Sequence, residues 1–264
     1  MNRRTVALLV LAALTALSGC AGFLGADSTE TPTTNATAGS ETPVHDLPLN
    51  SSTVLDANSA ALTDAGSFTY HQNATVRLTG NESGIVNYKN VTGPTNLTTD
   101  RIFTHERIAL QPRRDTYVDG NGTMYQRLWS SQDTAYRVKG GATANATPYL
   151  EPPLRGHLSG LNFSAAGTSS VDGVTVDTYT VTDLSQVDRQ THDTKVFPAQ
   201  NLGSISVTVA IDRRGIVRSF DYHATGTNAN GDALSYHLSL GYTDVGSTTV
   251  AEPEWLSEAR NATE

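Results

Sequence analysis

The sequence holds a single cysteine, Cys20, among 264 residues, so no disulfide can form within one chain. Lysine is almost as scarce, with only Lys89, Lys139 and Lys195. Charged residues make up 17% of the chain and lean acidic, 18 basic against 26 acidic side chains, for a formal charge of -8. Nucleic-acid binding needs a concentrated positive field, and this composition excludes it as a partner. No apolar run reaches the roughly 20 residues of a membrane-spanning helix, and no sustained heptad pattern is present, which excludes a multi-span membrane protein and a coiled coil. Nucleophile elbow, phosphate-binding glycine loop and compact zinc-ligand spacing are all missing, so the sequence points to no enzyme, no cofactor and no metal. What remains is a polar, weakly charged chain with 38% hydrophobic residues, enough for a substantial core.

The first 19 residues read as a signal segment. Arg3 and Arg4 give a short basic start, Thr5 to Leu17 is a small apolar run, and Leu17-Ser18-Gly19-Cys20 closes it. The ending resembles a prokaryotic lipobox, which implies a lipid joined by a thioether to Cys20 and hence a membrane partner. Asn2-Arg3-Arg4-Thr5 resembles a twin-arginine leader, although paired arginines also occur in signals that export unfolded chains. The expected location is the extracytoplasmic face of the cell membrane.

Residues 20–50 are rich in Thr, Ser and Pro and poor in large apolar groups, so their burial offsets little ordering entropy. They read as a tether between the lipid and a folded body over 51–250, with 251–264 as a C-terminal tail that includes Trp255 and Leu256. Candidate glycosylation sequons recur at Asn35, Asn50, Asn73, Asn81, Asn90, Asn96, Asn121, Asn145, Asn162 and Asn261. Low lysine, acidic bias and the Thr-rich tether resemble secreted haloarchaeal proteins.

Within the body, Val54, Leu55, Asn58, Ala61, Leu62 and Ala65 follow helical spacing, so a helix is expected over Thr53–Asp64, capped by Ser52 or Thr53 and stopped at Gly66. From Ser67 the period changes to two, with Phe68, Tyr70, Gln72, Ala74, Val76 and Leu78 on one face. Further strands are expected near residues 85–91, 98–108, 114–118, 123–129 and 134–138, and Asp119-Gly120-Asn121-Gly122 signals a hairpin. Pro152 and Pro153 predict a broken helical segment over 148–161 that could cover the sheet. Residues 184–197 read as either a short helix or a loop. Ile205, Val207, Val209 and Ile211, then Phe220, Tyr222 and Ala224, then Leu234, Tyr236, Leu238 and Leu240 predict a three-strand meander. The fold class is α+β, a curved antiparallel sheet with a leading helix and a central helical cover.

This order of elements resembles the lipoprotein-carrier superfamily of LolA, LolB and LppX-like proteins, over about residues 51–250. The resemblance implies a half-barrel whose hydrophobic cavity accepts acyl chains or lipid-modified proteins. The candidate cavity face comprises Phe68, Tyr70, Val76, Leu78, Ile102, Trp129, Leu154, Leu158, Val207, Val209, Phe220, Tyr222, Tyr236 and Leu238. Ordinary core packing is the simpler reading of each, because alternation identifies a face without showing whether its centre is empty. His71, His105, His223 and His237 are dispersed over strands and read first as structural histidines. Asp115, Asp119 and Asn121 could approach a cation at a turn, and Asp212, Arg213 and Arg214 read as a charged hairpin tip. Two functions follow: a surface lipoprotein that binds a lipid, acyl chain or other hydrophobic ligand without catalysis, or an envelope structural or assembly protein with a filled interior.

Overall fold

The computed structural model describes residues 43–79, 84–141, 146–152, 154–193 and 196–262. The signal segment, Cys20, most of the tether, and the sequons at Asn35, Asn81 and Asn145 lie outside the described residues. The docked chain already starts in the last part of the expected tether. There Val44 N–H donates to Asp177 Oδ2 at 2.7 Å, His45 N–H donates to the Tyr179 hydroxyl, and Leu49 joins the core.

Helix α1 spans Ser51–Ala65. Its cap is Asn50, two or three residues earlier than the hydroxyl residues suggest: Asn50 Oδ1 accepts from Ser52 and Thr53 N–H, both at 3.0 Å. Gly66 ends the helix in the left-handed conformation, φ 71°, which an L side chain resists. Val54, Leu55, Asn58 and Leu62 form the buried stripe and pack on the sheet.

Six strands follow: β1 Ser67–Leu78, β2 Gly84–Asn96, β3 Arg101–Ile108, β4 Arg113–Val118, β5 Met124–Trp129 and β6 Thr134–Lys139. Two one-turn helices, α2 Thr147–Leu150 and α3 Arg155–Leu158, make the broken segment. Then come β7 Ser164–Val171, β8 Val174–Val181, β9 Leu202–Asp212, β10 Val217–Thr227 and β11 Ala233–Thr243, and a closing helix α4 Leu256–Asn261. The residue 184–197 interruption contains one 3-10 turn, Leu184–Gln186, and a second turn, Ala199–Asn201, follows it.

All eleven strands form one open antiparallel sheet in the order β6-β5-β4-β3-β2-β1-β11-β10-β9-β8-β7. Two meanders are therefore joined where the first strand pairs with the last, from Thr69↔Thr243 to Leu78↔Leu234. β7 and β8 are strands that the sequence reading did not anticipate. β7 is a polar, exposed edge with a bulge near Gly167, features that discourage pairing with another chain. Its turn to β8 places Asp172 and Gly173 at positive φ, as a tight hairpin requires.

The inner face of the sheet, under α1 to α3, carries the main core, from Phe68 and Tyr70 across to Val207, Val209, Phe220, Tyr222 and Leu238. On the outer face, α4 covers β3 to β6, where Trp255, Leu256 and Ala259 pack with Tyr117 and Tyr125. The predicted tail is thus partly docked.

One buried side chain joins these layers. Asn58, fully buried on α1, accepts from Val217 N–H at 3.0 Å through Oδ1 and donates from Nδ2 to the Leu150 carbonyl at 3.2 Å. It therefore ties α1 to β10 and α2 together. Replacing Asn58→Ala leaves a buried strand N–H unpaired and is expected to cost about 1–3 kcal/mol. Urea denaturation checks this, and a change below about 0.5 kcal/mol would contradict the role given to Asn58.

Candidate functional site

Strand alternation and pairing lay side chains in rows across the inner face of β1 to β5. One row runs Phe68, Thr95, Ile102, Val118 and Met124. The next contains Tyr70, Gly93, Thr116 and Gln126, with Thr104 opposite Thr116, and a third contains Gln72, Val91, Glu106 and Arg114. Apolar residues thus occupy one end of the face, neutral polar groups the middle, and charged groups the other end.

Above these rows lies a cavity of about 610 Å³, lined by Tyr70, Gln72, Lys89, Val91, Ile102, Thr104, Glu106, Arg114, Thr116, Val118, Met124 and Gln126 from the sheet, and by Pro148, Tyr149 and Glu151 at α2. Its apolar end is backed by Ala146, Leu97 and Leu150, which pack on Ile102 and Val118. At its charged end Glu106 sits 3.6 Å from Lys89 Nζ and 3.2 Å from Arg114 Nη1. Lys89 and Arg114 are matched by Glu106 and Glu151, so the lining carries both signs in equal number.

Tyr149 closes one side of the cavity. Its ring lies 5.6 Å from that of Tyr70, and the Tyr242 hydroxyl donates to its carbonyl at 2.6 Å. Gly93 provides the space: a Cβ there would sit 3.2 Å from Thr104 and 3.7 Å from the Tyr149 ring. Burial raises the phenol pKa of both Tyr70 and Tyr149, so both remain neutral hydrogen-bonding groups.

The predicted cavity residues separate into distinct environments. Tyr70 and Ile102 line the cavity. Phe68, Leu154, Leu158, Val207, Val209, Phe220, Tyr222, Tyr236 and Leu238 are packed in the core, and Val76 and Leu78 flank it. Here the β8 to β11 half of the inner face is filled by side chains. His192 accepts from the Tyr222 hydroxyl at 2.9 Å through Nε2 and donates from Nδ1 to the Ser159 carbonyl, and burial lowers its pKa. His157 Nε2 meets the Tyr236 hydroxyl at 3.2 Å, and burial pushes the Tyr236 pKa up to about 12.

Trp129 lies on the outer face instead, sharing its strand parity with Tyr125 and Arg127, and the guanidinium groups of Arg113 and Arg127 sit over its ring at 4.5 and 5.2 Å. Arg127 also reaches Asp115, with Nε 3.0 Å from Oδ2, while His105 Nδ1 lies 2.8 Å from Oδ1. Burial raises the Asp115 pKa, but the hydrogen bonds from His105 and Arg127 outweigh it and hold this carboxyl below its ordinary value.

Asp115 is therefore not joined to Asp119 and Asn121. Asp119 Oδ1 accepts from Asn121 and Thr123 N–H and shapes the β4–β5 turn. Asp212 is more than an exposed tip: it is buried, accepts from Arg214 and Ile216 N–H, and holds Arg218 Nε at 2.8 Å. Arg213 reaches toward Asp177 at 3.8 Å. Of the four dispersed histidines, His71 meets Thr243 Oγ1 at 3.0 Å, whereas His223 and His237 come together at Asp221. Asn50, Asn73, Asn90, Asn121, Asn162 and Asn261 are exposed. Asn96 is half-buried and already uses Nδ2, donating to the Thr248 carbonyl.

Sequence reasoning missed every liner other than Tyr70 and Ile102: the apolar Val91, Val118 and Met124, the α2 residues Pro148, Tyr149 and Glu151, and the polar Gln72, Lys89, Thr104, Glu106, Arg114, Thr116 and Gln126. Gln72 was placed on the Phe68 face without a site role, whereas the polar residues of β2 to β5 look like a solvent face, and only the spacing to Ile102 and Val118 betrays that they share the inner one.

Several solved structures are similar to this chain. They include LprF from Mycobacterium bovis, with 13% identity, TM-score 0.38, and coverage of 77% of this chain and 96% of that one. The lipoprotein LppX from Mycobacterium tuberculosis gives 12%, 0.37, 77% and 100%. A LolA superfamily protein from Nitrosomonas europaea gives 8%, 0.24, 79% and 97%. No curated protein matches the chain. A family model does match, over residues 4–259, and the chain accordingly belongs to that family, a family of unknown function designated DUF7537.

Proposed function

We propose that this protein is a membrane-anchored, non-catalytic binding protein for an amphiphilic, lipid-like ligand. The observation that carries this reading is the graded lining of one cavity, apolar at Ile102, Val118 and Met124 and charged at Lys89, Glu106 and Arg114. A volume of about 610 Å³ falls within the few hundred to one thousand Å³ usual for small-molecule sites. An acyl segment at the inner end gains about 0.8 kcal/mol per buried methylene, while a polar or zwitterionic headgroup keeps ionic partners at the mouth. Exposed Ile85, Val86, Tyr88 and Leu110 lie at the same end of the sheet as Lys89, an apolar rim suited to resting against a bilayer. The lipid on Cys20, with a Thr-rich tether, would keep the cavity near that bilayer on the extracytoplasmic side.

Narrowing the cavity at its centre tests the binding reading. Full chain carrying Thr116→Phe is expected to bind dansyl-labelled undecanoic acid at least roughly tenfold more weakly than wild type. Ser206→Phe, on the outer face, should bind as wild type does. Equal binding by Thr116→Phe and wild type, or no saturable binding by wild type, would sink the proposal.

The anchor is tested separately by fractionating cells that express the full chain. Cys20→Ser should move the protein from the membrane fraction to the soluble one. Retention in membranes until detergent is added would contradict attachment through Cys20.

A further inference from the structure

The face opposite the cavity carries a separate cluster at the centre of the sheet. β10 and β11 pair so that His223 lies directly across from His237, and Asp221 stands two residues along β10 on the same face. The imidazole rings are stacked, with centroids 3.9 Å apart and planes within 10°. His223 Nε2 is 2.9 Å from Asp221 Oδ1, and His237 Nε2 is 2.9 Å from Asp221 Oδ2. One ligand atom from each residue lies within 4.8 Å of the other two.

We propose that Asp221, His223 and His237 form a binding site for a divalent first-row transition-metal ion of the zinc class. Two imidazole nitrogens and one carboxylate oxygen suit such ions, whereas magnesium and calcium favour oxygen-only sets. Bonds of about 2.0–2.1 Å in a tetrahedral site separate ligand atoms by about 3.3 Å, close to the present 2.9 Å contacts of each Nε2 with the Asp221 carboxylate, and ion binding requires the stacked rings to tilt so that both Nε2 lone pairs converge on one point. The carboxylate only accepts, so each imidazole now presents an Nε2–H to it. Solvent exchange can carry that proton to Nδ1, which frees the Nε2 lone pair for the ion.

Access and rigidity are both present. The three side chains are 39 to 56% exposed, which lets an ion enter and lets water fill the remaining positions. Their strand neighbours Tyr222, Ala224, Tyr236 and Leu238 point the other way and are locked in the core. A site on such strands keeps its geometry better than one on a loop. The cross-strand partners are Thr208 and Ser239 beside Asp221, Ser206 beside His223, and Thr75 beside His237. All are neutral hydroxyl residues, so none of these direct partners brings a cation to repel the ion.

The signal was spread over two strands and a turn, with the histidines 14 positions apart, which no compact ligand motif describes. It also lies outside the lipid-like cavity, so its test is independent of that reading.

The experiment is a Zn²⁺ titration of the untagged full chain by calorimetry, with thermal unfolding measured in parallel. Wild type should take up one equivalent with a Kd on the order of micromolar and gain stability as the ion is added. His223→Gln and His237→Gln should each weaken binding by roughly tenfold or more, and the double variant should lose the stabilisation by Zn²⁺ while keeping its metal-free unfolding temperature. His71→Gln, on the same face but away from the cluster, should behave as wild type, and Mg²⁺ should not displace Zn²⁺. Absence of binding by wild type at millimolar Zn²⁺, or unchanged binding in the double variant, would overturn the proposal.

Discussion

The structure depends on the pairing of its first strand with its last. β1 and β11 are joined over a register from Thr69↔Thr243 to Leu78↔Leu234, so residues more than 150 positions apart share one ladder. Without that ladder the chain would be two separate meanders, each with an uncovered inner face and an additional open edge. With it, Tyr70 and Tyr242 meet in the core, and Tyr242 reaches across to the Tyr149 carbonyl at α2. Such distant pairing is entropically expensive to nucleate, which predicts slow folding that waits for the C-terminal strands.

This junction also divides the inner face into two regions with different contents. On the β8 to β11 side, Tyr179, Val207, Val209, Phe220, Tyr222 and Leu238 fill the space, and the buried His157 of α3 and His192 pair with the Tyr236 and Tyr222 hydroxyls. On the β1 to β5 side the same face carries Thr104, Thr116, Gln126, Glu106 and Arg114, which do not close it, and the cavity results. The filled half acts as a rigid frame. It supports α1, whose Asn58 positions α2 beside the cavity, and it fixes the backbone under the Asp221, His223 and His237 cluster on the outside.

Much of the fold was legible because period-two alternation survives in most strands. β1 was readable to its ends from Phe68 to Leu78, and the broken α2–α3 segment followed from Pro152 and Pro153. β7 was not legible, since Ser164–Val171 has almost no large apolar side chain and is exposed along its length. The site was only partly legible. Alternation assigned Tyr70 and Ile102 to the inner face but could not tell a filled region from an empty one, so it named mostly core residues. Trp129 was named among the cavity-face residues, yet its parity with Tyr125 and Arg127 places it outward, where two arginines cover its ring. Pairing across strands, rather than any local pattern, brings the cavity rows and the histidine pair together.

The central claim is that the β1 to β5 cavity carries an amphiphile in the cell. Native mass spectrometry of the full chain, purified from cells that export it, measures this most directly, followed by denaturation and lipid extraction. The account predicts a bound mass that is lost on denaturing, extracts as an amphiphilic lipid, and is distinct from any group joined covalently to Cys20. A chain that is consistently empty and also rejects added amphiphiles would contradict it.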